Sequence, residues 1–157
     1  MNAAPRYHPS RPSPPSRPLP WHAWVLGGLF LLYSLAASFD HVMSIARGAA
    51  YYRDSGMSES QVAYFLAVPH WAVAGWTLSV WGGLCGSAAL LLRRHVATGL
   101  FAVSLAGSLV YMLHVLVLSE GGREAMGALW AMPMILGALT AVLVAYCQRL
   151  TTAGVLR

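Results

Sequence analysis

The sequence predicts an all-α protein: a transmembrane four-helix bundle of up-down-up-down topology, with a short interfacial helix before the second span. The chain of 157 residues is 57% hydrophobic and only 10% charged, whereas a water-soluble domain carries roughly 25% charged residues. The hydrophobic residues fall into four blocks that are each long enough to cross a bilayer. Two of the connections between these blocks are short, which favours antiparallel neighbours.

The four spans are predicted from runs that lack Asp, Glu, Lys and Arg. The first run, Trp21–Phe39, is roughly 28 Å long at 1.5 Å per residue, close to the thickness of the hydrocarbon layer. The other three runs have 23 residues each and cover His70–Leu92, Val96–Leu118 and Ala125–Cys147. The chain therefore contains one membrane domain, at 21–148.

The segments on either side of this domain are polar. Residues 1–20 contain seven of the nine prolines and three arginines, a composition that cannot bury a core. We expect a disordered Pro/Arg-rich cytoplasmic arm there and a cytoplasmic tail at 149–157. The run that begins at Trp21 is too long for the apolar core of a secretory signal, so it is read as a retained span.

The connections predict the local structure between the spans. Arg93 to His95 joins the second span to the third, and Ser119–Glu124 joins the third to the fourth. Within the longer first connection, Ser58 followed by Gln61 three residues later is typical of a capping box at the start of a helix. Pro69 is expected to kink this interfacial helix where it enters the membrane.

The arginines predict the orientation. Seven of the ten lie on the arm, the Arg93-Arg94 turn and the tail, whereas the other side has three together with four carboxylates. By the positive-inside rule both termini are cytoplasmic, and the expected location is a bacterial inner membrane. The arginines form no clustered basic face, so the expected partner is the lipid bilayer and not nucleic acid.

One set of polar residues shares a level near the outer boundary. Its members are Asp40, His41, His70, His114 and Glu120. Polar groups at membrane depth are usually paired or functional, so this layer is the candidate functional site. Asp40 near a helix C-terminus opposes the helix dipole, and Arg47 or a histidine is expected to compensate it. We expect Asp40 and His114 to approach each other, with His70 alongside.

Small residues in the second span predict close helix packing. They recur at Gly75, Ser79, Gly82, Gly83 and Gly86. Such ridges let helix backbones approach closely in lipid. Packing within one chain is the favoured interpretation, and contact in a homo-oligomer is the alternative.

The cofactor hypotheses rest on histidines and methionines. Two histidines on facing helices are able to hold a b-type haem, and soft Met thioethers suit copper(I). The chain has no HExxH pattern and no CxxC pattern, and Cys85 and Cys147 both lie inside apolar runs. No cofactor is firmly implied. No hydrolase or nucleotide-binding motif is present either, which disfavours an enzyme.

Several aromatic and glycine positions carry a resemblance to a family. They are Phe39-Asp40-His41-Val42-Met43, Tyr64-Phe65, Pro69-His70-Trp71, Trp76, Val80-Trp81-Gly82-Gly83, Gly86-Ser87 and Leu91-Leu92-Arg93. From Trp24 onward the chain resembles a group of small uncharacterised bacterial four-span inner-membrane proteins that are often labelled sugar transporters. The resemblance implies an inner-membrane four-helix fold with Asp40 and His114 as recurrent polar positions. His41 and His70 depart from the group, where a tyrosine and a small residue are usual.

Three functions remain open at this stage. The favoured one is a non-catalytic accessory or scaffold protein that acts through helix contacts, and the other two are alternatives. The second is a small-solute or proton-coupled transporter, which with four spans would work as a homo-oligomer. The third is a redox protein that holds haem or copper at the outer layer.

Overall fold

The computed structural model describes residues 18–157, and these residues are helical, with no strands. The expected disordered arm lies almost entirely outside the described residues. The helices are α1 (Trp21–Arg47), α2 (Ala49–Asp54), α3 (Glu59–Leu66), α4 (His70–Leu91), α5 (Val96–Leu113), α6 (Gly122–Met126) and α7 (Met132–Thr152). A π-helical turn, His114–Leu118, continues α5, and a 3-10 turn, Gly127–Leu129, follows α6.

Four of these helical segments are long and apolar enough to cross a membrane, as the sequence predicts. They are α1, α4, α5 with its π-helical turn, and α7, with 27, 22, 23 and 21 residues. Large apolar side chains on their outer faces are exposed, among them Leu32 and Val142. Exposed apolar surface of this extent suits contact with lipid. The fold is therefore that of an all-α multi-pass membrane protein.

The first span is longer than predicted. We expected it to end at Phe39, but α1 continues through Asp40 and His41 to Arg47. It ends at Gly48, whose φ of 53° lies in the left-handed region that glycine adopts at little cost. The charge on Asp40 therefore does not end the helix.

The fourth span begins later than predicted. The charge-free run starts at Ala125, but α6 ends at Met126 and α7 begins only at Met132. Gly127, with a φ of 53°, breaks the helix, and Pro133 occupies the first turn of α7. Proline is tolerated there because the first turn lacks intrahelical acceptors for its N–H groups. Charge alone does not reveal this break.

The segment before α4 contains the predicted short helix. Ser58 Oγ accepts from the Gln61 backbone N–H at 3.3 Å, and Gln61 Oε1 accepts from the Ser58 N–H at 3.0 Å. The capping box is thus confirmed. Pro69 was expected to kink this helix, but α3 ends at Leu66 and Pro69 is the N-cap of α4. Pro69 therefore separates two helices.

The closest helix contact joins α4 to α5. A Cβ built on Gly75 would lie 2.8 Å from Val110 Cγ1, and one built on Gly82 would lie 2.9 Å from the Ser104 backbone nitrogen. On α5, a Cβ on Gly107 would meet the Gly75 carbonyl oxygen. The two backbones are therefore in contact at positions where only glycine fits.

The remaining small residues of α4 extend this contact and reach a second helix. Gly86 faces the ring of Phe101 on α5, whereas a Cβ on Gly83 would lie 3.4 Å from Ser34 Oγ of α1. Ser104 Oγ also donates to the Ser79 carbonyl oxygen at 2.7 Å. Helix α1 thus packs on α4, and α7 packs on α5.

One end of the helix assembly is filled by an apolar cluster, which we call the closed end. Its members include Phe30, Leu90, Phe101, Leu143 and Cys147. The chain terminus adds to it, because Leu156 is buried there and Arg157 exchanges two backbone hydrogen bonds with Arg93 and His95. The opposite ends of the same helices enclose a cavity instead.

Candidate functional site

The cavity has a volume of about 570 Å³ and is bounded by all four long helices. Helices α2, α3 and α6 also contribute to its wall, through Tyr52, Phe65 and Ala125. Five lining residues are exposed, so the cavity reaches the molecular surface: Tyr33, Ala36, Asp40, Leu129 and Met132. Small-molecule sites typically enclose about 300–1,000 Å³, and this cavity falls within that range.

Asp40 is the one charged side chain among the residues that line the cavity. Its Oδ1 accepts a hydrogen bond from the Tyr51 hydroxyl at 2.9 Å. This bond raises the pKa of Tyr51, because the phenol donates to an anion and resists losing its proton. The reversal of the chain at Gly48 brings Tyr51 of α2 back beside Asp40.

Arg47 does not compensate Asp40, contrary to our expectation. Its Nη2 lies 2.7 Å from Asp54 Oδ2, at the far end of α2. The helix does continue to Arg47, but α2 then presents a second carboxylate to the guanidinium. The Asp40 carboxylate therefore accepts a hydrogen bond from a neutral hydroxyl. No cationic side chain among the lining residues balances its charge.

Hydroxyl groups form a second part of the wall. Ser104 Oγ donates to the Ser79 carbonyl, and Thr140 Oγ1 donates to the Leu136 carbonyl at 2.8 Å. Each hydroxyl has one hydrogen to give, so these two oxygens present only acceptor lone pairs to other groups. Ser44, with 6% of its surface exposed, also lines the cavity, and its Oγ has no hydrogen-bond partner among the described residues.

Two pairs of aromatic rings complete the wall. Trp76 of α4 and Tyr111 of α5 are stacked, with centroids 6.0 Å apart and an interplanar angle of 28°. Tyr52 and Phe65 contact each other at 5.7 Å and join α2 to α3. The cavity thus combines a carboxylate, hydroxyl oxygens and aromatic rings.

The short helices α2, α3 and α6, at the cavity end of the long helices, are joined by side-chain hydrogen bonds. Gln61 Nε2 donates to the Ala125 carbonyl at 2.8 Å and joins α3 to α6. Arg53 makes two bonds to the Glu59 carboxylate, at 2.7 and 3.0 Å, between α2 and α3. These bonds lower the pKa of Glu59, because the guanidinium stabilises the ionised carboxylate. The connections therefore form an ordered cover.

None of the other residues of the predicted polar layer makes a hydrogen bond or ion pair with Asp40 within residues 18–157. His41 is 2% exposed and faces α4, where its Nε2 lies 3.3 Å from Thr77 Oγ1 and its ring contacts Trp76 edge-on. The ring of His114 packs against Trp71 at 5.3 Å. His70 and Glu120 are exposed and make no hydrogen bond or ion pair within residues 18–157.

We expected Asp40 and His114 to approach each other. No hydrogen bond or ion pair joins these two side chains within residues 18–157. Neighbouring positions on a helix diverge by about 100°, so Asp40 faces the cavity while His41 faces α4. Across the described residues no three His, Cys, Asp or Glu side chains are close enough together to share a metal ion. The geometry thus adds nothing to the haem or copper hypotheses.

Sequence reasoning missed the partner of Asp40 and the serine positions of the wall. Tyr51 lies in a connection whose path depends on the glycine reversal, so no local pattern reveals it. The serines do leave a signal: Ser34, Ser38, His41 and Ser44 recur every three or four residues along α1 and are all buried. That spacing marks a polar stripe on the inner face of an apolar helix.

Comparisons with known proteins identify no relative. No protein-family model matches the chain, and no curated protein or solved structure matches it either. The resemblance drawn from the aromatic and glycine positions therefore stays a prediction, and the functional argument rests on the cavity.

Proposed function

We propose that this chain is a small-solute transporter of the bacterial inner membrane and that the cavity is its solute-binding site. The observation that supports the proposal is an approximately 570 Å³ cavity, walled by four apolar helices, with a carboxylate and hydroxyl groups turned into it. Ionisable side chains within membrane spans usually face a cavity or pair with another group, and they mark ligand sites and pathways. If transport is coupled to protons, Asp40 is the group on this wall that exchanges them.

The topology that goes with this proposal is an up-down-up-down bundle. Its support is the pairing of helix ends: Gly27 near the start of α1 meets Leu91 at the end of α4, whereas His41 meets Thr77. With seven arginines on one side and three on the other, both termini face the cytoplasm. The cavity then opens outward, and α3 lies at the outer interface.

The cavity favours a transporter over an accessory or scaffold protein, because a scaffold that acts through helix contacts needs no internal space. It also lies within a single chain. Solute binding therefore does not depend on the homo-oligomer that the sequence led us to expect. A homo-oligomer remains part of the proposal only as the source of a path for the solute past the closed end.

The experiment that tests this proposal asks whether water and small polar molecules enter the cavity. Ser108, which lines it, is changed to cysteine in a chain that also carries Cys85→Ala, and the protein is reconstituted into lipid vesicles. Hydroxyethyl methanethiosulfonate is a small uncharged reagent whose sulfur is attacked by a cysteine thiolate, which releases methanesulfinate and forms a mixed disulfide. Thiolates form only where water has access. The matched control is Leu109→Cys, on the adjacent outward face of α5.

We expect rapid modification at position 108 and slow modification at position 109. The Cys85→Ala chain alone reports the background from Cys147, which is fully buried. If position 108 reacts no faster than position 109, the cavity is not a solute site and the proposal fails. Reporter fusions at the C-terminus test the orientation: green fluorescent protein is expected to fluoresce and alkaline phosphatase to stay inactive.

A further inference from the structure

We propose that the solute bound in the cavity is a small organic cation, an amine or quaternary ammonium compound, with its charged group between Asp40 and the Trp76–Tyr111 ring pair. This inference rests on the proposed function and names its substrate class. Three independent properties of the wall support it: its charge, the direction of its hydroxyl groups and its aromatic surface.

The charge of the wall is negative and unbalanced. Asp40 is its one charged residue, and Oδ1 accepts from Tyr51 while Oδ2 has no hydrogen-bond partner among residues 18–157. The nearest arginine along the helix, Arg47, is bound to Asp54 instead. A carboxylate beside a low-dielectric cavity is stabilised strongly by a cation and destabilised by an anion. The cavity therefore favours a positively charged occupant.

Two of the hydroxyl groups in the wall also favour a positively charged ligand. The hydroxyl groups of Ser104 and Thr140 donate their hydrogens to backbone carbonyls, so towards a ligand their oxygens act only as acceptors. Ser44 Oγ is buried in the wall without any partner, so a ligand group that meets it would satisfy it. The acceptor oxygens of Ser104 and Thr140 suit an ammonium N–H or an alcohol group of the ligand and repel a phosphate or carboxylate. Ser44 keeps its hydrogen and is able to donate as well as accept.

The aromatic rings supply a surface for a cation that has lost water. Trp76, Tyr111, Tyr52 and Phe65 all line the cavity. The negative faces of such rings attract cations, and the attraction is largest when the cation is desolvated. A neutral apolar solute would use the same rings but would leave Asp40 uncompensated. The combination of rings and one carboxylate is thus specific for an organic cation.

The test uses choline and its uncharged isostere, 3,3-dimethyl-1-butanol, as probes. The Ser108→Cys chain is placed in vesicles of phosphatidylethanolamine and phosphatidylglycerol, and each probe is added before hydroxyethyl methanethiosulfonate. We expect choline to protect the cysteine in a saturable manner. The isostere has the same shape without the charge, so we expect it to protect only at roughly tenfold or higher concentration.

Asp40→Asn removes the charge and keeps an acceptor for Tyr51. It is expected to weaken protection by choline roughly 10- to 100-fold, since the Coulombic attraction between the carboxylate and the quaternary ammonium group is lost. The matched control is Glu120→Gln, which removes an exposed carboxylate that makes no bond within the described part of the chain. We expect Glu120→Gln to leave protection unchanged.

The outcomes separate the two proposals. If the cysteine is not modified at all, the solute site itself is refuted. If the cysteine reacts but choline fails to protect it, or both probes protect equally, the cavity is a site for a different solute and the cation proposal is wrong. The comparison of the two probes decides this in the Ser108→Cys chain alone, so the result does not depend on the folding of Asp40→Asn.

Discussion

Replacing Gly107 with alanine tests the close contact between α4 and α5. The added Cβ would meet the Gly75 carbonyl oxygen and would lie 2.7 Å from the Ser79 nitrogen and 2.9 Å from Leu78 Cβ. Carbon atoms in good contact are about 3.5–4.0 Å apart, so the helices must separate by roughly 1 Å. All three neighbours belong to the rigid part of α4, and rotation of a side chain cannot relieve the clash.

The magnitude follows from three terms. Overpacking of this kind costs about 1–3 kcal/mol. Separation of the helices also weakens the bond from Ser104 Oγ to the Ser79 carbonyl, worth about 0.5–1.5 kcal/mol. Alanine gains about 0.8–1.0 kcal/mol over glycine in helix propensity. We therefore expect Gly107→Ala to lower the free energy of unfolding by about 1–3 kcal/mol.

The matched control is Gly99→Ala on the same helix. A Cβ at this position has nothing within 4 Å, so the variant keeps the gain in propensity without the clash and should be slightly more stable than the parent. Stability is measured by titration with dodecyl sulfate in mixed micelles, followed by far-UV circular dichroism. If Gly107→Ala unfolds at the same midpoint as Gly99→Ala or later, the close contact is not as described.

Three further predictions concern the cover and the cysteines. Ser58→Ala removes the capping box and is expected to cost about 1 kcal/mol, seen as faster amide hydrogen exchange in α3 with α4 unchanged. Arg53 lowers the pKa of Glu59 in the folded state. The Arg53–Glu59 ion pair therefore stabilises the fold above the unfolded pKa of Glu59, about 4.3, and this stabilisation is lost as the pH falls through the folded pKa. Exchange between α2 and α3, corrected for intrinsic rates, should therefore rise in acid, and the rise should be smaller in Glu59→Gln, where the Arg47–Asp54 ion pair of α2 is still present. In mild detergent an apolar maleimide should modify Cys85, which is exposed, and not Cys147; equal modification would contradict the described burial.

The sequence predicts the four spans well because membrane helices are specified by a local property, the absence of charge over a length set by the bilayer. The observed helices at Val96–Leu118 and His70–Leu91 lie within a residue of the predicted runs. The errors arise where another force acts. Gly127 and Pro133 break an apolar run, and α1 continues past Asp40, which accepts a hydrogen bond from a tyrosine of the next helix.

The site was less predictable than the fold. Depth along the helices, which follows from counting residues, places Asp40 among the candidates, and the structure places Asp40 in the cavity wall. Direction around the helix separates Asp40 from His41, and the partners of each depend on how helices pack. The cavity itself is a tertiary property. It exists because α1 and α7 meet at the closed end and enclose space at the other.

The closed end has a mechanical consequence for a transporter. Helices α4 and α5 are joined backbone to backbone, whereas α1 packs on α4 and α7 packs on α5. Where glycine contacts lock two helices, the pair moves as one body, and the outer helices are the parts free to tilt. A passage to the other side of the membrane must therefore part Phe30 from Phe101, whose rings touch at 5.7 Å, and release His22 from Tyr146. In the transporter that we propose, those two ring contacts form the gate at the closed end.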